Sequence, residues 1–503
     1  MFRMRESLKR LPWLFGRLVF GLIFLSVMLM AGCAEPVRQT IPRPIVAPPA
    51  DPETIFGEAT IGEGRSKEAA ADIKVPNLPH DGPLTLEDCL NLAPKVSSSI
   101  DSADQGYVGA MWTRWRSITD FLPTVDTTYG VTHDEDPINA LTGSGHDQWR
   151  WTTSVSQPVF TGGRNLANYL LSQLGLSTAE IRRVQAKEDL LLNVKQAFYG
   201  ILASEKALAV AKTTVVNLSS HLNVAKNFFD VGMVPQNQVL QAEVELAKAQ
   251  QEQTNRERDL TINKARMNIL LRRAVDFPIK IKDELGHPRF PLGLDQCLLV
   301  GLKDNPEIQL GRVAVESGAK EVDVARSALY PQVNVNYNNT SMGQSGRVDD
   351  DNNWNVSATA SFNVWNWGKS KADVENSKVR LNQAIDTLDG LENNIKLEVT
   401  TNYENLVSAD RNIAVAQQAV ASAAEDLRMV TERYQEQVAT NTEVLDAQTR
   451  YSEAQYEYYS ALYNYNLSWA SLERSMGRRV TTTGLVDLPT NRPSFRVRDL
   501  NLP

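Results

Sequence analysis

The chain repeats itself. Residues 193–202, Asn-Val-Lys-Gln-Ala-Phe-Tyr-Gly-Ile-Leu, stand over residues 398–407, Glu-Val-Thr-Thr-Asn-Tyr-Glu-Asn-Leu-Val, at a shift of 205. The register holds without a gap through Leu208-Ala-Val-Ala211 over Ile413-Ala-Val-Ala416, Leu222 over Leu427 and Phe229 over Tyr434. It still holds where Gln238-Val-Leu-Gln-Ala242 stands over Glu443-Val-Leu-Asp-Ala447. A fortuitous match drifts out of register. This one keeps apolar over apolar and alanine over alanine, which marks an internal duplication. Both copies are long, polar, Ala-rich and helical, and the first breaks near Gly232-Met-Val-Pro235. The surface against which two such helical hairpins pack decides the function.

Each repeat begins well before the hairpin. Leu84-Thr-Leu-Glu-Asp-Cys-Leu90 matches Leu292-Gly-Leu-Asp-Gln-Cys-Leu298 at a shift of 208. Thr85 with Asp88 three residues on is a loose capping box, so a helix should start there. Pro94 and Pro306 are expected to break or kink it after about two turns. Phe-Leu-Pro123 and Leu-Tyr-Pro331 should stop the resumed helix. The period then changes to two. Val333, Val335 and Tyr337 alternate with Asn334, Asn336 and Asn338, and Val125, Thr127 and Tyr129 alternate with Thr124, Asp126 and Thr128. These are strands with one greasy and one wet face. A polar loop, Thr132 to Asp147 or Ser341 to Asn353, leads to a returning strand. The second loop is three residues shorter, which turns the shift of 208 into 205, and insertions belong in loops. Repeat 1 therefore spans 84–275, with strands over about 124–135 and 148–160 and a long helix over about 164–229. Repeat 2 spans 292–477, with strands over about 332–341 and 353–365 and a long helix over about 369–434. Each long helix would reach roughly 100 Å, and each returning helix roughly 55 Å. Residues 478–503 form a polar tail without a pattern.

The N-terminus is not fold. Five basic residues up to Arg17 precede the apolar run Leu18–Met30, the layout of a secretory signal over residues 1–32. Met30-Ala-Gly-Cys33 resembles the bacterial lipoprotein signal, which implies a lipidated Cys33. Ala34 after it, in place of an Asp, implies the outer membrane. Loss of the signal removes five basic residues and Glu6 and takes the formal charge from −8 to −12, which argues against a nucleic-acid partner. Residues 33–83 form a Pro-rich linker. Cys89 and Cys297 hold matching places in the two repeats, so each is expected to be a small buried group rather than half of a disulfide.

Strands of ten to thirteen residues can cross a bilayer when tilted. Trp149, Phe160, Trp354, Trp365 and Trp367 cluster near strand ends, as aromatics at a membrane interface do. An ordinary soluble hairpin packed on a core is the competing reading. One chain supplies only four membrane strands, too few to close a barrel, and open edges in lipid are costly. The strands must then be completed by other copies of the chain. The fold class expected is mainly α with membrane β: a duplicated helix–strand–strand–helix–helix repeat.

The order helix, Leu-Pro or Tyr-Pro, strand, strand, Gly, long helix, turn and Val-Leu-x-Ala helix, met twice over residues 84–477, resembles the TolC-like outer-membrane factors. The lipoprotein signal and Pro-rich N-terminus are similar to the lipoprotein branch of that family. The resemblance implies a homotrimer with a twelve-stranded β-barrel and a long α-helical barrel, anchored by lipid in the cell outer membrane and extending into the periplasm. It implies a periplasmic adaptor and an inner-membrane transporter as partners in efflux or secretion. Carboxylates near the second hairpin tip form an acidic constriction in that family, and Glu443 and Asp446 hold the matching positions, three apart on one helical face. A plain solvated acidic face is the competing reading. Gln238 and Gln241 are the neutral equivalents in repeat 1, with Tyr434 nearby, and could hold this periplasmic gate closed. Val231-Gly232-Met233 fits the family's adaptor-contacting tip; an ordinary helix-ending glycine accounts for Gly232 equally well. The second tip, Glu436-Gln437-Val438, lacks the glycine.

Five histidines, His80, His133, His146, His221 and His287, show no ligand spacing. No phosphate loop or nucleophile elbow is present. No catalytic residue, metal or cofactor is expected, and energy for transport must come from a partner. The rival from another class is a non-conducting, lipid-anchored structural rod of the cell envelope, which has no need of the period-two hairpins.

Overall fold

The computed structural model describes residues 83–133, 147–344, 352–481 and 484–485. The expected leader, Cys33 and nearly all of the linker lie outside the described residues. Repeat 1 contains α1 (Leu86–Val96), α2 (Ser98–Thr119), β1 (Thr124–His133), β2 (Asp147–Phe160), α3 (Arg164–Asp230) and α4 (Gln236–Leu270). Repeat 2 contains α5 (Leu294–Asp304), α6 (Pro306–Ser327), β3 (Gln332–Gln344), β4 (Asn352–Ser361), α7 (Lys369–Gln435) and α8 (Asn441–Met476). The pairs β5 (Val480–Thr481) and β6 (Gly484–Leu485) close a small hairpin where the sequence shows only a patternless tail.

Thr85 starts α1 through a full capping box. Its Oγ1 accepts from the Asp88 N–H at 3.2 Å, and the Asp88 carboxylate accepts from the Thr85 N–H at 3.0 Å. Gly293 has no side chain, so α5 keeps only the return bond, from its N–H to Gln296 Oε1 at 3.3 Å. The break after each of these short helices is not made by the two prolines acting alike. It falls at Ser97 and Asn305, which are 208 apart and both extended (ψ 130° and 126°). Each caps the next helix. Ser97 Oγ accepts from the Ser99 N–H at 3.3 Å, and Asn305 Oδ1 from the Glu307 N–H at 2.7 Å. Pro306 is the first residue of α6, where its missing N–H costs nothing. Pro94 sits inside α1 near its end, and Leu302 stands in its place in repeat 2.

The four long strands form one antiparallel sheet in the order β1–β2–β3–β4. The pairing of β2 with β3 joins the repeats. The register carries Val125, Val155, Tyr337 and Val356 across one face in a row. Tyr129 beside Trp151, and Val131 beside Trp149, extend that face. The other face reads Thr128, Thr152, Thr340, Asn353 in one row and Asp126, Ser154, Asn338, Asn355 in another. Alternation along each strand thus becomes two opposed surfaces, one apolar and one of hydroxyls and amides. A bulge at Pro158–Phe160 brings Phe160 opposite Val333, on the apolar face; a proline inside a sheet is expected at such an irregularity. β4 ends at Ser361, short of the expected 365. Its last partner is Gln332, and Pro331 before that has no N–H to offer, so Phe362 to Trp365 have no ladder to join. Trp365 and Trp367 therefore lie beyond the strand, edge to face at 5.8 Å and largely exposed.

Gly163 and Gly368, both left-handed, turn the chain from strand into helix. α3 and α7 have 67 residues each, roughly 100 Å of helix. α2, α3, α6 and α7 pack in that order, the order of the strands they adjoin. α4 folds back on α3, α8 folds back on α7, and α8 also lies against α3. No helix among the described residues is long and apolar enough to cross a membrane.

The core lies at the level of α1 and α5, in two duplicated clusters. One gathers Cys89, Phe198, Ile201 and Met267; the other gathers Cys297, Ile308, Val399 and Leu472. Both cysteines are free and buried, in different clusters. Burial pushes the Cys89 thiol up to about 12 and the Cys297 thiol to about 11, so neither is a thiolate at neutral pH. Ion pairs stitch the repeats together beside these clusters. Lys195 on α3 pairs with Glu473 on α8, both buried, and Glu473 also accepts from the Val480 N–H at 2.6 Å. Arg474 reaches Asp189 at 3.0 Å, Glu307 at 2.8 Å and Glu398 at 3.4 Å. Burial raises the Glu398 carboxyl above its usual range, and Arg474 opposes that. Lys195→Met leaves Glu473 charged and buried without its cation, at a cost of about 3 kcal/mol. The double change Lys195→Met/Glu473→Gln removes the stranded charge, keeps an acceptor for Val480, and should recover most of that loss in thermal or denaturant unfolding.

Candidate functional site

Two places in this fold carry chemistry: the two-faced sheet at one end of the long helices and the hairpin tips at the other. The polar face of the sheet is held by its own side chains. Thr152 and Thr340 hydroxyls meet at 3.5 Å, and the Asn338 amide donates to Asn355 Oδ1 at 3.3 Å. The apolar face carries ring contacts, Tyr129 with Trp149 at 5.9 Å and with Trp151 at 6.0 Å, and Tyr337 with Trp354 at 6.5 Å. Of the expected interfacial aromatics, Trp149 and Trp354 stand near the loop end of the sheet. Phe160, Trp365 and Trp367 stand at the helix end.

At the tips, Val231, Gly232 and Met233 end α3. The Met233 N–H donates to the Phe228 carbonyl at 2.8 Å and the Gly232 N–H to the Phe229 carbonyl at 2.9 Å. This is a Schellman end, with Gly232 at φ +76° in the position that needs a left-handed residue. The second tip builds the same end without a glycine. The Val438 N–H donates to the Arg433 carbonyl at 2.8 Å and the Gln437 N–H to the Tyr434 carbonyl at 3.0 Å, with Gln437 at φ +62°. The two tips thus share one backbone despite the missing glycine. The side chains of Val231, Met233 and Val438 are all exposed. Gln437 Nε2 also reaches Met233 Sδ at 2.8 Å, linking tip to tip.

Glu443 and Asp446 lie one turn apart on α8, and the structure separates their tasks. Glu443 closes a capping box: its Oε1 accepts from the Thr440 N–H at 3.1 Å and the Thr440 hydroxyl at 2.9 Å. Those two bonds, with Arg433 at 3.9 Å, hold its carboxyl below the usual range. Asp446 is exposed and has no hydrogen bond or ion pair to another described residue. Gln238 and Gln241 meet Asn441, a residue that carries no motif of its own. Asn441 donates to the Gln238 carbonyl at 3.4 Å and to Gln241 Oε1 at 3.2 Å, while its own Oδ1 bonds His221 Nε2 at 2.7 Å. Tyr434 is buried, its ring 4.9 Å from His221 and 5.7 Å from Phe228. Tyr434, His221 and Asn441 therefore form one buried polar-aromatic joint between α3, α7 and α8, with the exposed Gln241 of α4 at its edge. His221 is invisible to a search for metal spacing. Thr440-x-x-Glu443 is readable as a helix start.

The profile of the family described as outer membrane efflux protein matches residues 118–271 and 301–478, covering the sheet and both hairpins. The chain belongs to this family. Among curated relatives, the outer membrane efflux protein BepC of Brucella suis is 18% identical over 336 residues, 65% of this chain and 71% of that one. The probable outer membrane lipoprotein SilC of Salmonella typhimurium is 28% identical over 138 residues, 26% of this chain and 28% of that one. Among solved structures, the CmeC outer membrane channel of Campylobacter jejuni superposes with a TM-score of 0.70 at 16% identity, covering 78% of this chain and 85% of that one. CusC superposes with a TM-score of 0.69 at 17% identity, covering 78% and 91%. The fold of this outer membrane efflux protein is therefore the TolC-like channel fold.

Two measurements probe the tips. Gln437→Gly should raise the unfolding free energy by about 1 kcal/mol, because a left-handed non-glycine residue is strained by that much, and Gly232→Ala should lower it similarly. Thermal melts of both variants against the parent check the pair of signs. Burial lowers the His221 imidazole below its usual pKa, although the Asn441 bond opposes the shift. The unfolded chain then binds the proton first as pH falls. The contribution of His221 is present above about pH 6.5 and is lost in acid, by at most about 1.4 kcal/mol per pH unit. The stability difference between parent and His221→Gln should therefore shrink from pH 8 to pH 5; a constant difference refutes it.

Proposed function

We propose that three copies of this chain form an outer-membrane channel that passes cargo from an inner-membrane transporter and a periplasmic adaptor to the exterior. The observation that carries this reading is the open four-stranded sheet. It has one face of hydroxyls and amides, one of aliphatic and aromatic groups, and two edges, β1 and β4, without partners among the described residues. In water such edges invite aggregation; in lipid each unpaired backbone group costs several kcal/mol. Joining β4 of each copy to β1 of the next removes all edges. Twelve strands then close a barrel wide enough to leave a water-filled lumen, with the Thr and Asn rows inside. Trp149 and Phe160 are eleven residues apart on β2. That is roughly 36 Å along the strand, and roughly 25–30 Å of height once tilted, the thickness of an outer-membrane apolar band.

The long helices continue the wall into the periplasm, and Cys33 carries the lipid that anchors each copy to the outer membrane. The tips meet the adaptor through Val231, Gly232 and Met233, and through Val438 on the second tip. Asp446 supplies the charge of the periplasmic gate. Three copies give a ring of unpaired carboxylates, while Glu443 is committed to its helix start. Gln238, through its carbonyl, and Gln241 brace the ring through Asn441, and Tyr434 packs on the His221 that Asn441 bonds. The rod reading leaves a duplicated hairpin with a polar face unused.

Planar bilayers separate the readings. The purified protein should give discrete, cation-preferring conductance, and Asp446→Asn should reduce the cation-to-anion preference several-fold, with Glu443→Gln changing it less. Silence under all voltages and salts supports the rod. Conductance with unchanged selectivity in Asp446→Asn removes that residue from the gate.

A further inference from the structure

The polar face of the sheet is almost without charge. Read through the register, all four strands present Thr, Ser, Asn and Gln on it, with Gly130, Met342 and, at the bulge, Pro158 as neutral exceptions. Two of its residues are ionisable, Asp126 on β1 and Arg150 on β2. Both are exposed, and neither has an ion-pair partner among the described residues. They stand at different levels. Asp126 is opposite Ser154, and Arg150 lies four residues nearer the loop end of β2, roughly 13 Å away along the strand. Arg150 is also held in place. Its partner on β1 is Gly130, where a Cβ would meet nothing within 4 Å, so that side of the guanidinium is open. Its Nη2 donates to Gln148 Oε1 at 3.3 Å, and Gln148 Nε2 reaches Met342 Sδ at 3.7 Å. Gln148 thus orients the guanidinium through a neutral contact that leaves its charge uncompensated.

We propose that Arg150 is a charge-selecting residue inside the barrel, favouring anionic groups in the cargo and slowing cations at its level. The proposal rests on the trimeric-channel reading and assigns its selectivity within the membrane. Three copies set three guanidiniums at one height of a wall otherwise made of hydroxyls and amides. A ring of fixed charge selects ions in a pore, arginine rings selecting anions. The low-dielectric wall of backbone and lipid focuses that field along the lumen. Arginine suits the place, because its charge is permanent and stands at the end of a long side chain, away from the wall. Asp126 makes the opposing ring on the helix side, but its short side chain keeps the carboxylate close to the wall. The guanidinium ring is therefore the stronger of the two. With Asp446 favouring cations at the tips, the pore carries selecting elements of opposite sign at its two ends. A cation admitted at the tips meets opposition in the barrel, whereas a cargo that bears both charges is favoured at each.

Reversal potentials of the full-length protein in planar bilayers, measured across a potassium chloride gradient, are the test. Arg150→Gln should move the cation-to-anion permeability ratio about threefold toward cations near 0.01 M salt, where the screening length is about 30 Å. The difference should vanish near 1 M, where that length is about 3 Å. Arg150→Lys keeps the charge and should restore most of the parental ratio. Asp126→Asn should move the ratio the other way, and by less. Carboxylates elsewhere in the chain, those of the loops included, are common to parent and variant and cancel in each difference. An Arg150→Gln channel that keeps the parental ratio at low salt, while Asp446→Asn still lowers it, overturns the assignment and leaves the channel standing. A shift as large at 1 M as at low salt, or an Arg150→Lys channel that behaves as Arg150→Gln does, also overturns it, since pore shape and not charge would then be responsible. Silence of the parent protein overturns both readings.

Discussion

A backbone that enters hydrocarbon has to find every hydrogen bond inside protein. This chain meets the demand halfway. β2 and β3 are paired on both sides, whereas β1 and β4 are paired on one. The rest of the architecture derives from that half-completion. A duplicated unit gives the sheet its two-faced register, since each strand of one repeat meets a strand of the other or its own hairpin mate with the same alternation. The helices inherit the arrangement, with α2 and α7 on the flanks as β1 and β4 are at the edges. A single chain is thus a segment of a wall, and its exposed apolar residues belong to the wall rather than to a defective core.

The segment still has to hold its own shape, and it does so where the helices are crossed by α1 and α5. The two apolar clusters there are built from duplicated residues, Cys89 and Cys297 among them. The charges between them are not duplicated. Arg474 corresponds to Ile269 in repeat 1, and Glu473 corresponds to Asn268. Arg474 draws together α3, α6, α7 and α8, which fixes how one repeat sits on the other. Apolar packing is tolerant of sliding; a guanidinium shared by three carboxylates is not. Repeat packing is therefore set by groups that duplication alone did not supply.

Much of this is legible from residue order. The 205-residue register, the change from a 3.6 to a 2.0 period after Pro123 and Pro331, and the glycines that open α3 and α7 are local signals, and local signals survive without a structure. The features that escape depend on partners distant in sequence. β4 stops where β3 runs out of donors, a fact about Pro331 and not about the residues of β4. The helix break belongs to Ser97 and Asn305 because their side chains cap α2 and α6, and the two prolines draw attention away from that alignment. His221 and Asn441 are 220 residues apart and become a site only when α3 and α8 lie together. Glu443 has the look of a gate carboxylate, yet Thr440 three residues before it offers a helix start.

The two tips show how far sequence symmetry and structural symmetry can part. Gly232 suits the left-handed end of α3, and the glycine-free tip of α7 reaches the same backbone with Gln437. A conformation that persists where the residue disfavours it is being held from outside the residue. Here the holders are visible: the paired bonds from Gln437 and Val438 to the end of α7, and the contact of Gln437 with Met233 on the other tip. The strain is therefore coupled to the joint between the hairpins. The Gln437–Met233 contact and the buried bond of His221 with Asn441 both tie repeat 1 to repeat 2. The two tips of one chain are thus held together by repeat-to-repeat contacts.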